Sequence, residues 1–188
     1  MNLTLSQSDR VALLATAREA IAARLEDRKP AWPDIGEAAR ETHGAFVTLH
    51  KSTESGQRLL RGCIGRLRSD ERLDVTIKAM ALSAAFDDPR FPPVIHEELD
   101  SIDVEISVLS PFEPCVAEDV EPGLHGVYLT RAYRSGVFLP QVATEQGWDR
   151  DELLDQLCAK AGLPPGSHKA PDAKLYLFSA IIFGEKRY

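Results

Sequence analysis

The longest amphipathic pattern of the chain lies near its start. Residues 8–26 carry apolar side chains at spacings of three and four, which predicts a helix with one apolar stripe. The stripe consists of Leu14, Ala17, Ile21 and Leu25. Ser6 and Asp9 stand at the spacing of a capping box, with Asp in place of the usual Glu, so the helix is expected to begin there.

Alternating apolar and polar side chains predict several strands. The clearest is residues 101–110, where the alternation gives one buried face and one polar face. Further strands are predicted at residues 44–51, 58–67, 127–130 and 136–139, the last two forming a hairpin. A nearly continuous apolar run at residues 174–183 predicts a strand covered on both faces.

Two further helices complete the predicted elements. Residues 70–86 and 149–161 both show the helical period, and Cys158 falls on the apolar stripe of the second. Helices and strands do not alternate regularly, which favours an α+β fold with mainly antiparallel sheets flanked by helices. We expect residues 1–188 to form a single domain, in which two proline-rich breaks suggest lobe boundaries.

Composition narrows the class of protein. The chain has 188 residues, 44% of them hydrophobic, and a net charge of −7, which disfavours non-specific nucleic-acid binding. No apolar run is long enough to span a bilayer, and the first residues do not resemble a secretory signal, so we expect a cytoplasmic protein. Three widely spaced cysteines without a CxxC pattern predict neither a zinc site nor disulfides, and nothing argues for a bound cofactor.

Charge is unevenly distributed along this acidic chain. Residues 51–68 contain five basic side chains and one acidic side chain. This window fits a solvated loop face and an anion-binding rim about equally well.

Cys63 is the strongest candidate for chemistry. It stands in the segment LRGCIG, residues 60–65, between Gly62 and Gly65 and two positions after Arg61. A nearby cation and an open backbone are what a reactive thiolate needs, and glycines in a strand indicate a bulge or a close backbone approach. The alternative is a small buried side chain, because free cysteine is among the most buried residue types.

Three residues outside this segment are further candidates. His125 precedes Gly126 at the mouth of the hairpin and suits a general base, although a His-Gly pair more often marks a turn. Arg90, in DDPRF, suits a carboxylate or phosphate ligand, or else pairs locally with an aspartate. Gln141 follows an edge-type proline and either lines a pocket or lies at the surface.

Six ordered blocks resemble the AMMECR domain family. They are GAFVTL with LRGCIG, DPRFP, ISVL, HG, FLPQVA and the stretch that ends in KAGL. The likeness runs from the first helix to the final strand, and the form it most resembles is the prokaryotic AmmeMemoRadiSam system protein A. Two positions depart from the pattern: Asp87 stands where Arg is expected, and His168 where an aromatic residue is typical.

The resemblance implies an α+β protein of two unequal lobes with a cleft near residues 61–65. It also implies association with a Memo-like protein and a radical S-adenosylmethionine (SAM) protein, but it implies no particular reaction. Cys63 and His125 are then the catalytic candidates, and the ligand-binding candidates are Arg61, Gly62, Gly65, Arg90 and Gln141.

Two functional hypotheses follow. The first is a cysteine-dependent enzyme, or half of one, which acts on a small anionic or carbonyl ligand. The second is a non-catalytic binding or scaffold module for the two partners, in which Cys63 only fills space.

Overall fold

The computed structural model describes residues 4–52 and 57–185. These residues form four α-helices and two antiparallel four-stranded sheets. The chain divides into two compact units, the first built from residues 4–52, 57–109 and 181–185 and the second from residues 110–180. The predicted α+β class is therefore confirmed, whereas the cleft predicted between lobes stays a prediction.

The elements are numbered in chain order. The helices are α1 Gln7–Leu25, α2 Leu73–Phe86, α3 Pro140–Gln146 and α4 Arg150–Lys160. The strands are β1 Ala45–Ser52, β2 Arg58–Arg66, β3 Ile102–Leu109, β4 Glu113–Cys115, β5 Gly126–Arg131, β6 Arg134–Phe138, β7 Lys174–Phe178 and β8 Ala180–Gly184.

The first unit packs helices on one face of its sheet. The strand order is β2-β1-β3-β8, so β2 is an edge strand. Ala45, Val47 and Leu49 of β1 are fully buried in a core shared with α1 and α2, and the alternate side chains of β1 are only partly buried. Strand alternation thus gives this sheet one apolar face and one polar face.

The second unit has its own sheet and its own core. The strand order is β4-β7-β5-β6, which places β4 and β6 at the edges. Leu153, Leu154 and Leu157 of α4 are buried with side chains of β5 and β7, and Cys158 is fully buried among them. The prediction that Cys158 belongs to the core is confirmed.

The capping box predicted from Ser6 and Asp9 marks the start of α1. The Ser6 side chain accepts a hydrogen bond from the Asp9 backbone N–H at 3.1 Å, and the Asp9 carboxylate accepts one from the Ser6 N–H at 3.0 Å. The predicted capping box is therefore present, since each residue satisfies a backbone donor of the other.

Two predictions from the second half of the chain are wrong. The apolar run at residues 174–183 forms two strands of different sheets, because the chain leaves β7 at Ser179 and enters the first unit as β8. The Ser179 N–H donates to the Ser110 hydroxyl at this break. Pro140, interpreted as an edge-type proline, is the first residue of α3, where a missing N–H costs nothing.

None of the helices in the described ranges is both long enough and apolar enough to cross a lipid bilayer.

Candidate functional site

The two glycines beside Cys63 are required by close packing within the first unit. A Cβ atom at Gly62 would lie 2.1 Å from the backbone carbonyl oxygen of Ala84 in α2. A Cβ atom at Gly65 would lie 2.2 Å from the ring of Phe46. The predicted close backbone approach therefore has a partner inside the chain, and ligand binding by these glycines stays a prediction.

The Cys63 side chain lies on the polar face of the first sheet. Cys63 pairs directly with Thr48 of β1, and directly paired residues share one face. The Thr48 hydroxyl donates a hydrogen bond to Cys63 Sγ at 3.3 Å. The thiol is half-buried, so it is not a packed core residue of the kind that Cys158 represents.

The loop after α2 covers the outer edge of β2 at Cys63. The Cys63 N–H donates to Asp88 Oδ2 at 2.8 Å, and Arg90 Nη2 donates to the Cys63 carbonyl oxygen at 3.1 Å. Arg90 also binds both carboxylate oxygens of Asp88, at 2.9 and 2.7 Å. Asp88 and Arg90 thus satisfy the backbone N–H and C=O of Cys63 on the edge of β2, where no further strand of the described residues pairs with it.

Electrostatics tie these two residues together. The Arg90 guanidinium, and more weakly the backbone N–H groups of Cys63 and Arg90, hold the pKa of the buried Asp88 carboxyl well below its usual range. Asp88 in turn raises the pKa of Arg90, with a smaller contribution from Cys63. The Arg90 side chain is nevertheless 54% exposed, so it can still meet a ligand.

Arg61 is engaged elsewhere. Its guanidinium binds Glu98 through two hydrogen bonds, of 3.0 and 2.8 Å, and the residue is buried. This contact lowers the pKa of Glu98 to about 2. Arg61 lies where the register between β1 and β2 shifts, and Glu98 already compensates its charge. A ligand contact by Arg61 stays a prediction.

The basic window is largely neutralised by carboxylates from outside it. Besides the Arg61 pair, it forms the pairs Lys51–Glu98, Arg58–Glu105 and Arg66–Glu71, at 3.4, 3.7 and 3.1 Å. These cations are therefore not a free anion-binding rim. Arg90, outside the window, is the exposed guanidinium beside Cys63.

His50 is a residue of this face that the sequence reasoning missed. It stands two positions after Thr48 on β1, and its Nδ1 accepts a hydrogen bond from Arg58 Nη2 at 3.0 Å. Burial, and then the Arg58 charge, lower the pKa of His50, while Asp103 acts in the opposite direction. The alternation of β1, which puts Phe46, Thr48 and His50 on one face, is the signal that could have found it.

His125 and Gln141 belong to the second unit. His125 Nδ1 accepts a hydrogen bond from the Glu121 N–H at 3.2 Å, in the turn before β5. Gln141 is the second residue of α3, and its Oε1 is buried without a hydrogen bond from any described residue. Their predicted association with Cys63 stays a prediction.

The other two cysteines have different surroundings. Burial, and then the charge of Asp119, raise the pKa of the Cys115 thiol to about 11. Cys158 Sγ lies 3.6 Å from His168 Nδ1. Within residues 4–52 and 57–185, no group of three or more His, Cys, Asp or Glu side chains could hold a metal ion.

Comparison with known proteins identifies the family. The model of the AMMECR1 family matches residues 14–183, which is most of the chain. The chain belongs to the AMMECR1 family. The blocks that suggested this resemblance all lie within the matched residues, including the LRGCIG segment and the Asp88–Arg90 loop of the Cys63 site.

Relatives and a solved structure agree with this assignment. A protein from Methanothermobacter thermautotrophicus is 42% identical over 190 residues, which span 96% of each chain. Protein TK0174 from Thermococcus kodakarensis is 46% identical over 153 residues, 78% of this chain and 74% of that protein. The crystal structure of uncharacterized protein PH0010 from Pyrococcus horikoshii matches with a TM-score of 0.87 and 37% identity, covering 97% of this chain and 94% of that one. The two-sheet architecture is therefore that of a solved AMMECR1-type fold.

Proposed function

We propose that this AMMECR1-family protein binds a small anionic or carbonyl ligand beside Cys63 and that the Cys63 thiol acts on that ligand. The observation that carries the proposal is the bridge made by Arg90. Arg90 is anchored on Asp88 and on the Cys63 carbonyl oxygen, yet more than half of its side chain is exposed. A guanidinium that is fixed by hydrogen bonds and still partly exposed to solvent suits a carboxylate or a phosphate as ligand.

The surroundings of the thiol support a reactive role. A hydroxyl donor and a neighbouring cation are the groups that stabilise a thiolate as it attacks, and Cys63 has Thr48 and Arg90 in these places. The half-buried Sγ lies on the polar face of the sheet rather than in the core. We place the protein in the cytoplasm, where a free thiol stays reduced.

Charge-selective alkylation tests the proposal. We expect the ratio of the iodoacetate rate to the iodoacetamide rate at Cys63 to exceed that of a peptide cysteine several-fold, because Arg90 attracts the anionic reagent. Mass spectrometry of each cysteine supplies the rates. Arg90→Gln should reduce the ratio to the peptide value, and Arg90→Lys should keep part of the preference.

Arg66→Gln is the matched control, because Arg66 lies on the same strand and pairs with Glu71 away from the thiol. An unchanged ratio in Arg90→Gln would contradict the proposal.

The resemblance to the AmmeMemoRadiSam system supplies the partners of this proposal, a Memo-like protein and a radical SAM protein. A scaffold role for those partners is the second candidate, and the exposed apolar side chains of Leu59 and Leu60 on the edge strand β2 favour it. Co-purification of both partners with Leu60→Asp tests this role. Loss of the partners without a change in Cys63 alkylation would favour the scaffold, and retention of both partners would count against it.

A further inference from the structure

The ring of His50 is held in one tautomer. Arg58 Nη2 lies 3.0 Å from His50 Nδ1, and a guanidinium can only donate hydrogen bonds. Nδ1 must therefore accept, and in the neutral ring the proton is on Nε2. Arg58 is itself steadied by Glu105 of β3, 3.7 Å away.

The surroundings of His50 also keep its ring neutral at physiological pH. Burial in the sheet face, and then the charge of Arg58, lower its pKa, and Asp103 on the neighbouring strand only partly opposes them. Protonation of Nδ1 would also break the hydrogen bond from Arg58. A neutral ring with its proton on Nε2 is a hydrogen-bond donor that does not change with small shifts in pH.

His50 lies close to the thiol along the sheet. It follows Thr48 by two residues on the same face of β1, a distance of about 7 Å along a strand. Thr48 is the direct partner of Cys63. Within residues 4–52 and 57–185, His50 Nε2 forms no hydrogen bond, so the donor is available to a ligand.

We infer that His50 is a second ligand contact of the Cys63 site, and that the ligand is a small carboxylate or phosphate ester that also carries a neutral carbonyl group. In this arrangement Arg90 binds the anionic group, and His50 Nε2–H donates to the carbonyl oxygen. The inference rests on the proposed function, since it requires the anion contact at Arg90.

The fixed donor of His50 suits an uncharged oxygen. Its Nε2–H donates a hydrogen bond from a neutral ring, so a carbonyl oxygen satisfies it without a second charge on the ligand. The charge of Arg58 beside the ring is already balanced by Glu105 across the sheet.

Nitrogen-15 NMR of the whole chain tests the tautomer without any activity assay. At neutral pH, Nδ1 of His50 should resonate as an unprotonated nitrogen and Nε2 as a protonated one, with the signals assigned by their loss in His50→Leu. Arg58→Ala should give a mixture of tautomers, and Arg66→Gln should leave the signals unchanged. A His50 ring protonated on Nδ1 in the unaltered protein would overturn the inference.

Protection of Cys63 from iodoacetamide tests the ligand class with three matched probes. Pyruvate has both groups, propionate has the carboxylate without the carbonyl oxygen, and acetone lacks the carboxylate. We expect pyruvate to protect at concentrations about 3- to 10-fold lower than propionate, the range for one hydrogen bond, and lower than acetone. His50→Leu should abolish the preference for pyruvate over propionate, and His50→Gln, which keeps a donor, should restore part of it.

The outcomes separate this inference from the proposed function. Equal protection by pyruvate and propionate, or no protection by pyruvate, overturns the carbonyl contact, and the proposed function survives if iodoacetate remains favoured at Cys63. Loss of the iodoacetate preference overturns both. A preference for pyruvate over propionate that persists in His50→Leu overturns the role of His50 alone.

Discussion

Cys63 and Cys115 are both half-buried thiols on edge strands, and their neighbours make them chemically different. Cys63, on β2, has the Thr48 hydroxyl and the Arg90 guanidinium beside it. Cys115, on β4, has burial and the Asp119 carboxylate, which raise its pKa to about 11. Exposure and strand position alone therefore do not distinguish the two thiols. Burial, and then the Asp119 carboxylate, disfavour the charged form of Cys115, whereas a hydroxyl and a guanidinium adjoin Cys63.

Displacing the strand that carries Cys63 should have the largest effect. Gly62→Ala puts a methyl 2.1 Å from the Ala84 carbonyl oxygen, a backbone atom that cannot move without shifting α2. We expect a loss of about 3 kcal/mol or more in the free energy of unfolding, measured by urea denaturation. Pro114→Ala changes the exposed residue before Cys115 and should cost less than about 1 kcal/mol. Similar losses in the two variants would show that Gly62 is not sterically required.

The reactivity of Cys115 offers the next largest contrast. At neutral pH its alkylation should be about 300-fold slower than that of a peptide thiol with a pKa of about 8.5, because its own pKa is about 11. Its rate should keep rising with pH up to that value, whereas a peptide thiol levels off earlier. Site-resolved mass spectrometry over a pH series measures the alkylation rates of Cys115 and of a reference peptide thiol in one sample. A Cys115 rate equal to the peptide rate would contradict the raised pKa of Cys115.

Asp88→Asn should weaken the fold by about 2 kcal/mol, because it removes charge-assisted bonds from Arg90 and the Cys63 N–H at a buried carboxylate. The folded pKa of Asp88 is lowered, so its stabilisation is complete above the ordinary pKa of about 3.9 and is lost as pH falls through the lowered value. Urea denaturation of both proteins at several pH values measures the difference.

The difference between wild type and Asp88→Asn should therefore be constant above about pH 5 and shrink in stronger acid. Asp119→Asn, beside Cys115, is the matched control. Asp119 accepts an exposed backbone N–H at 3.1 Å, so this variant should change stability by less than about 1 kcal/mol. A stability difference at Asp88 that grows in acid would refute the assigned ion pair.

The smallest expected effect concerns the hydroxyl next to Cys63. Thr48→Val keeps the shape of the side chain but removes the donor that lies 3.3 Å from Sγ. We expect Cys63 alkylation to slow by about 3- to 10-fold, the equivalent of one hydrogen bond to the reacting sulfur. Cys115, in the other unit, should react at an unchanged rate and so serves as an internal control. If Cys63 does not slow, the contact with Thr48 does not stabilise the reacting thiol.

Local sequence patterns were sufficient to predict most helices and strands. They were insufficient where contacts with distant segments decide which sheet or helix a residue joins. The capping box of α1 and the alternation of β3 are contained within a few residues, so both were predictable. The break at Ser179 was not, because an apolar run does not show that its two halves belong to different sheets. The same limit applies to Pro140, which suits an edge and a first helical turn equally.

The sequence alone determined that the LRGCIG segment is unusual, that its glycines indicate a bulge or a close approach, and that the chain is an α+β protein resembling the AMMECR family. Only the tertiary structure decided what approaches those glycines, that Glu98 holds Arg61, that Arg90 binds the Cys63 backbone and that Arg58 holds the His50 ring. The reason is physical. Periodicity and capping are local properties, whereas the charge and hydrogen bonds around a side chain come from residues tens of positions away.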